Sequence, residues 1–146
     1  MKQLTSFIAL LLISFNSFAD DTNQVAAKVK TSFDKSFPDA SDVKWNRSGT
    51  IYFGTFKVND QDISVVYNED GELKSSSRKL SLSRLPLKVL FAVQDRYSGY
   101  NISKEVSEVF SNDESGYLIN VENEKNKLAL RVDPLGNITV EDKTKK

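Results

Sequence analysis

The chain of 146 residues carries 20 basic and 20 acidic side chains, with no histidine and no cysteine. Those absences remove the commonest general base and metal ligand, together with disulfides, thiol catalysis and lipid attachment through a cysteine. Formal neutrality gives no pull toward nucleic acid or an anionic membrane surface.

Residues 1–19, MKQLTSFIALLLISFNSFA, combine one lysine, an apolar run from Phe7 to Phe15, and Ser17-Phe18-Ala19 ahead of two aspartates. This is the layout of a cleavable signal peptide, and the run is too short for a comfortable membrane span. The expectation is a periplasmic or secreted protein that begins near Asp20 and keeps no stable membrane insertion. Residues 20–146 form a single domain in this reading, a size that can bury roughly two-thirds of its unfolded surface. The basic end Lys143-Thr144-Lys145-Lys146 reads as a solvated tail.

The first periodic segment is helical, with Ala26, Val29, Phe33 and Phe37 on one stripe, Asp21 or Thr22 as N-cap, and Pro38 as the stop. A short strand follows over Ser41–Ser48, where Val43 and Trp45 alternate with polar residues. Two more strands place Tyr52, Gly54 and Phe56 on one face against Ile63, Val65 and Tyr67. A two-residue loop at Asn59-Asp60 pairs Phe56 with Ile63, Gly54 with Val65 and Tyr52 with Tyr67. Asn68-Glu69-Asp70-Gly71 has the signature of a type I turn with a positive-φ glycine, and a fourth strand runs from Leu73 to Leu80.

The same series then recurs. A helix over Leu85–Tyr97 matches the first at an offset of 60, and the hairpin of Tyr117, Ile119, Val121, Leu128, Leu130 and Val132 matches at 65, with its turn at Glu124-Lys125. Asp133-Pro134-Leu135-Gly136 repeats the type I turn, Asn137–Asp142 repeats the last strand, and Phe110 stands 65 positions after Trp45. The growth of the offset predicts five inserted residues near Ser98–Ser107. Two tandem repeats are expected, about 21–82 and about 83–143, each one helix followed by four strands. One-sided strands and an amphipathic helix each need a cover, so the fold class is α+β, with both helices on one face of an antiparallel sheet.

Phe33-x-x-x-Phe37-Pro38-x-Ala40-x-x-Val43-x-Trp45, the Tyr52–Gly71 meander, Leu85-Pro86-x-x-Val89 and Tyr97-x-Gly99-Tyr100-x-Ile102 resemble the beta-lactamase-inhibitor-like, PepSY-like family of exported bacterial proteins. The resemblance spans nearly all of the chain after the leader. It implies two helix-plus-four-strand units and no catalytic residues, and it transfers no inhibitory contact. Gly54 stands where such proteins carry a branched apolar residue, which implies a local gap or a close approach.

Enzymatic signals are thin. Ser32-Phe33-Asp34-Lys35 is a Ser-x-x-Lys set in mid-helix without its companion motifs, and Asn68–Glu72 is too short for a calcium loop. Neither cofactor nor metal is expected. Trp45 reads as core. The outward face of the hairpins is polar except at Phe53 and Leu118, so the expected partner-binding set is Phe53, Thr55, Lys57, Leu118, Asn120 and Glu122, with Gly71 and Gly136 as structural turns. The function expected is a non-catalytic module that binds a protein or peptide of the cell envelope on its open sheet face. The alternative is a small-molecule or ion carrier with a pocket between helices and sheet, fed by a void at Gly54.

Overall fold

A computed structural model describes residues 25–146; the expected signal peptide lies outside them. The first helix starts at Ala27 with Ala26 as its N-cap, so Asp21 and Thr22 stand too far upstream to be the cap expected from the sequence. The described residues form helices α1 (Ala27–Ser36) and α2 (Leu87–Arg96) and strands β1 (Ser41–Ser48), β2 (Ile51–Val58), β3 (Gln61–Asn68), β4 (Leu73–Ser81), β5 (Asn101–Ile102), β6 (Glu105–Ser111), β7 (Glu114–Glu122), β8 (Asn126–Val132) and β9 (Ile138–Lys145). The class is α+β, as expected.

Both helices are set by proline. Phe37 donates its backbone N–H to Phe33 O at 2.8 Å and leaves the helical region, because Pro38 disfavours the α conformation in the residue before it. Leu85 is extended for the same reason, ahead of Pro86 (ψ 147°). The second helix therefore starts at Leu87 rather than Leu85, after a single 3-10 turn over Leu82–Arg84.

All strands join one antiparallel sheet in the order β1-β2-β3-β4-β6-β7-β8-β9, with β5 attached to β7. The seam between the halves is a full ladder, from Ser75 opposite Ser111 to Ser81 opposite Glu105. The two ends stay open and are blunted in the usual ways. A bulge between Ser41 and Lys44, with Asp42 at φ 53°, disturbs β1, and β9 ends in a run of charges, Glu141-Asp142-Lys143.

The hairpin registers agree with the sequence reading. Tyr52 faces Tyr67, Gly54 faces Val65 and Phe56 faces Ile63; Tyr117 faces Val132, Ile119 faces Leu130 and Val121 faces Leu128. Asn59 and Asp60 have φ of 51° and 61°, the paired positive values of a type I′ turn.

One assignment needs correction. Asn46 faces Phe53 on β1 while Ser107 faces Leu118 on β6, an offset of 61 rather than 65. Carried one step beyond the last pair, this register sets Val106 where Trp45 stands, not Phe110. The extra residues therefore lie mainly in the β6–β7 hairpin, which is longer and turns at Asn112-Asp113 (φ 53° and 62°), and not near Ser98–Ser107. Phe110 rides on this extension and is 44% exposed.

The core is in two parts on the helix side of the sheet. Val29 and Phe33 of α1 pack with Tyr52, Phe56, Val65 and Tyr67, and Trp45 joins them. Val89 and Val93 of α2 pack with Leu80, Val106, Ile119, Leu128 and Leu130, among others. Phe33 centres the first part, edge-on to Phe56 at 4.9 Å and to Trp45 at 5.1 Å, the arrangement that the ring quadrupoles favour.

Candidate binding face on the open side of the sheet

Because side chains alternate across a strand, the residues between those core positions form the face that neither helix covers. One row across this face runs Asn46, Phe53, Val66, Ser75, Ser111 and Glu114. The next runs Lys44, Thr55, Ser64, Ser77, Val109 and Gly116. A third joins Lys79, Ser107, Leu118, Arg131 and Thr139.

The middle strands thus present a floor of small side chains, Ser64, Ser75, Ser77, Ser107, Ser111 and Gly116, around Val66 and Val109. Although no helix lies over them, Val109 is 1% exposed and Val66 is 5% exposed.

All six residues of the expected set point to this face, but the structure does not gather them. Phe53, Thr55 and Lys57 stand on β2, and Leu118, Asn120 and Glu122 on β7, with β3, β4 and β6 between. Phe53 and Leu118 are four strand spacings apart, roughly 19 Å, and occupy different rows. They do not form a joint patch as neighbours. Phe53 extends an apolar corner with Val66, its cross-strand partner, while Leu118 lies beside Arg131. Asn120 and Glu122 instead line an open depression of about 530 Å³, together with Ala129, Lys127, Asp142 and the β5 residue Ile102. Glu122 is held below the usual carboxylate range by Lys146, with Lys127 adding to the effect.

The expected binding set left out Val66, Val109, Gly116 and Arg131. The signal for the floor was present in Ser75-Ser76-Ser77 of the expected fourth strand, but only the strand order places two of the three serines on the open face in the middle of a wide sheet.

The other expected features resolve into structure. A Cβ on Gly54 would lie 2.9 Å from both the Trp45 ring and Val65, so the close approach is realised and the indole fills the supposed void. Ser32 Oγ sits 2.9 Å from the Cβ position of Gly71, where it packs against the β3–β4 turn. In that turn Asn68 Oδ1 accepts the N–H groups of Asp70 and Glu72 at 3.1 and 2.9 Å, and its amide donates to Glu72 Oε2 at 2.8 Å. Lys74 and Asn68 together lower the Glu72 pKa.

No protein-family model and no curated protein sequence matches the chain. Solved structures do. A BLIP-like protein from Bacteroides fragilis superposes with a TM-score of 0.72 at 20% identity, covering 87% of this chain and 92% of that one. A DUF2874 family protein from Bacteroides ovatus gives 0.71 at 23% identity, covering 84% and 89%. A candidate periplasmic protein from Bacteroides eggerthii gives 0.70 at 20% identity, covering 84% and 90%. The resemblance carried by the sequence motifs is therefore matched in three dimensions: this chain has the BLIP-like fold.

Proposed function

We propose that the protein is an exported, non-catalytic module that holds a segment of another envelope protein or a peptide on the open face of its sheet, and that residues 1–19 are its export signal. The observation that carries this reading is the floor of Ser64, Ser75, Ser77, Ser111, Val109 and Gly116. Small side chains across several adjacent strands, with Phe53 and Val66 at one corner and Leu118 and Arg131 at the other, leave room for a partner to approach the backbone. We infer further that the fold is built from two helix-plus-four-strand units, with the short β5 added to the second. Support comes from the matching registers, from the positive φ of Gly71 and Gly136, and from the two-part core.

Site-specific photo-crosslinking tests the binding reading. A photoreactive residue at Ser77, on the open face, is expected to capture a partner in envelope extract. The same residue at Lys88, on the outer side of α2, is not. Adducts from Lys88 alone, or from neither site, would overturn the assignment. Phe53→Asp and Leu118→Asp each remove apolar surface at opposite corners and are expected to weaken the Ser77 adduct separately.

A further inference from the structure

On the open face, Arg131 is a charge without a counter-charge. Its side chain lies across Gly116: the Arg131 Nε stands 3.6 Å, and its Cγ 3.9 Å, from the place where a Cβ on residue 116 would be. Nη1 is sealed from solvent and has no hydrogen-bond partner among the described residues. The other cations of this part of the face are satisfied, Lys79 by Glu105 at 2.9 Å and Lys127 by Glu122 at 3.7 Å. Arg131 forms no such ion pair among the described residues. Its cross-strand neighbours are Leu118 and Thr139, and Val109 and Gly116 face each other close by. None of these carries a negative charge.

The fold does not require a cation here. Leu118 faces Arg131 in the second half as Phe53 faces Val66 in the first, and that valine is buried. An arginine placed where an aliphatic residue suffices, with one nitrogen desolvated and unpaired, forgoes stability, since a buried donor without an acceptor bears the full cost of leaving water. With no ion pair of its own among the described residues, the guanidinium keeps its other N–H groups for an acceptor that arrives with a ligand. A planar guanidinium offers two parallel N–H donors, which suit a carboxylate. A single positive charge suits a monoanion better than a phosphate dianion.

We propose that Arg131 anchors the partner by taking the carboxylate of an aspartate or glutamate side chain, with Leu118 receiving that residue's methylene stem. This rests on the open-face reading above and specifies the chemistry of the segment bound there.

The test is titration of the full exported chain with two capped tripeptides, Gly-Glu-Gly and Gly-Gln-Gly, followed by NMR at the Arg131 Nε–H and at the amides of Val109 and Leu118. The glutamate peptide is expected to shift these signals saturably, and the glutamine peptide is not. Arg131→Gln is expected to abolish the response while keeping the dispersion of a folded spectrum, and Arg131→Lys to retain a weaker one. A silent Arg131 signal, or equal shifts with both peptides, would overturn the proposal. If the Ser77 crosslink persists undiminished in Arg131→Gln, the face still binds but the carboxylate anchor is wrong. If Arg131 responds to the glutamate peptide while Ser77 captures nothing, the anchor stands and the protein-binding reading falls.

Discussion

Gly71 and Gly136 occupy the same backbone conformation under the same part of a helix. Their φ values are 80° and 88°, and a Cβ would lie 2.6 Å from Lys28 O at the first and 3.3 Å from Lys88 O at the second. Each turn is thereby pressed against the helix of its own half, and each glycine is needed twice, for its positive φ and for its missing side chain.

That double requirement predicts an order of cost. Gly71→Val should destabilise most, by about 3 kcal/mol or more, because backbone strain of about 1 to 3 kcal/mol adds to a clash with a helix carbonyl that cannot swing away. Gly136→Val should follow at about 2 to 3 kcal/mol, since its nearest atoms at 3.2 and 3.3 Å leave more room. Gly99 also has a positive φ, 87°, but nothing lies within 4 Å of its Cβ position, so Gly99→Val should show strain alone, about 1 kcal/mol. Denaturant melts of the three variants check the order. Equal costs would mean that the helix contact contributes nothing.

Trp45 beside Gly54 and Val106 beside Ile119 are two solutions to one packing problem, a large residue over none and a medium residue next to another. Gly54→Ile alone should overpack the site, since the ring already stands 2.9 Å from the Cβ position, at a cost of about 1 to 3 kcal/mol. Trp45→Val alone should leave a cavity, costing about 2 to 4 kcal/mol. The double variant copies the second half and should cost at least about 1 kcal/mol less than the two singles added, a coupling within the usual range for contacting residues. Strict additivity in denaturant melts would show that the two sites are not interchangeable.

How far the sequence could be read follows from which physical rules are local. Strand faces and hairpin registers were legible because a period of two and a turn such as Asn59-Asp60 fix them within a dozen residues. Matching Phe110 to Trp45 failed because similarity of two aromatics cannot count the residues of a lengthened hairpin. Phe53 and Leu118 were correctly placed on the open face, but their separation depends on the order of β3, β4 and β6, which neither hairpin contains. Arg131 read as one more polar member of a solvated face. Its burial depends on Gly116 across the strand boundary, a relation visible only once the register is combined with the absence of a side chain there.

The second type I turn should make stability depend on acid pH. Asp133 accepts the Asn137 side-chain amide at 2.7 Å and the backbone N–H groups of Leu135 and Asn137 at 2.8 and 2.9 Å. The Asn137 amide first, then the backbone, hold its carboxyl below the ordinary value of 3.8. Because the folded state prefers the ionised form, the contribution is fully present above the unfolded value and is lost as pH falls through the folded one. Asp133→Asn keeps an oxygen for the backbone donors but not the charge. It should be less stable than the parent near neutrality, and thermal melts should show the gap closing as pH drops below about 4. A gap independent of pH would place the effect in turn geometry and not in charge.

Tyr117 extends the pH argument to the alkaline side. It is buried on β7 and its hydroxyl donates to Glu108 Oε1 at 3.5 Å, while Arg78 pairs with the other oxygen of the same carboxylate. Burial chiefly, and then the Glu108 charge, raise the phenol above its ordinary value of 10.0. Here the folded state prefers the protonated form, so stability is intact below the unfolded pKa and is lost as pH rises through the folded one. Tyr117→Phe cannot ionise, and its melting temperature should fall less than that of the parent between neutral and strongly alkaline pH. Glu108→Gln should lower the Tyr117 midpoint, read from tyrosinate absorbance, while burial still keeps it above that of an exposed tyrosine. An unchanged midpoint in Glu108→Gln would mean that burial alone sets the shift, and that the Arg78–Glu108 pair neutralises the carboxylate before the phenol senses it.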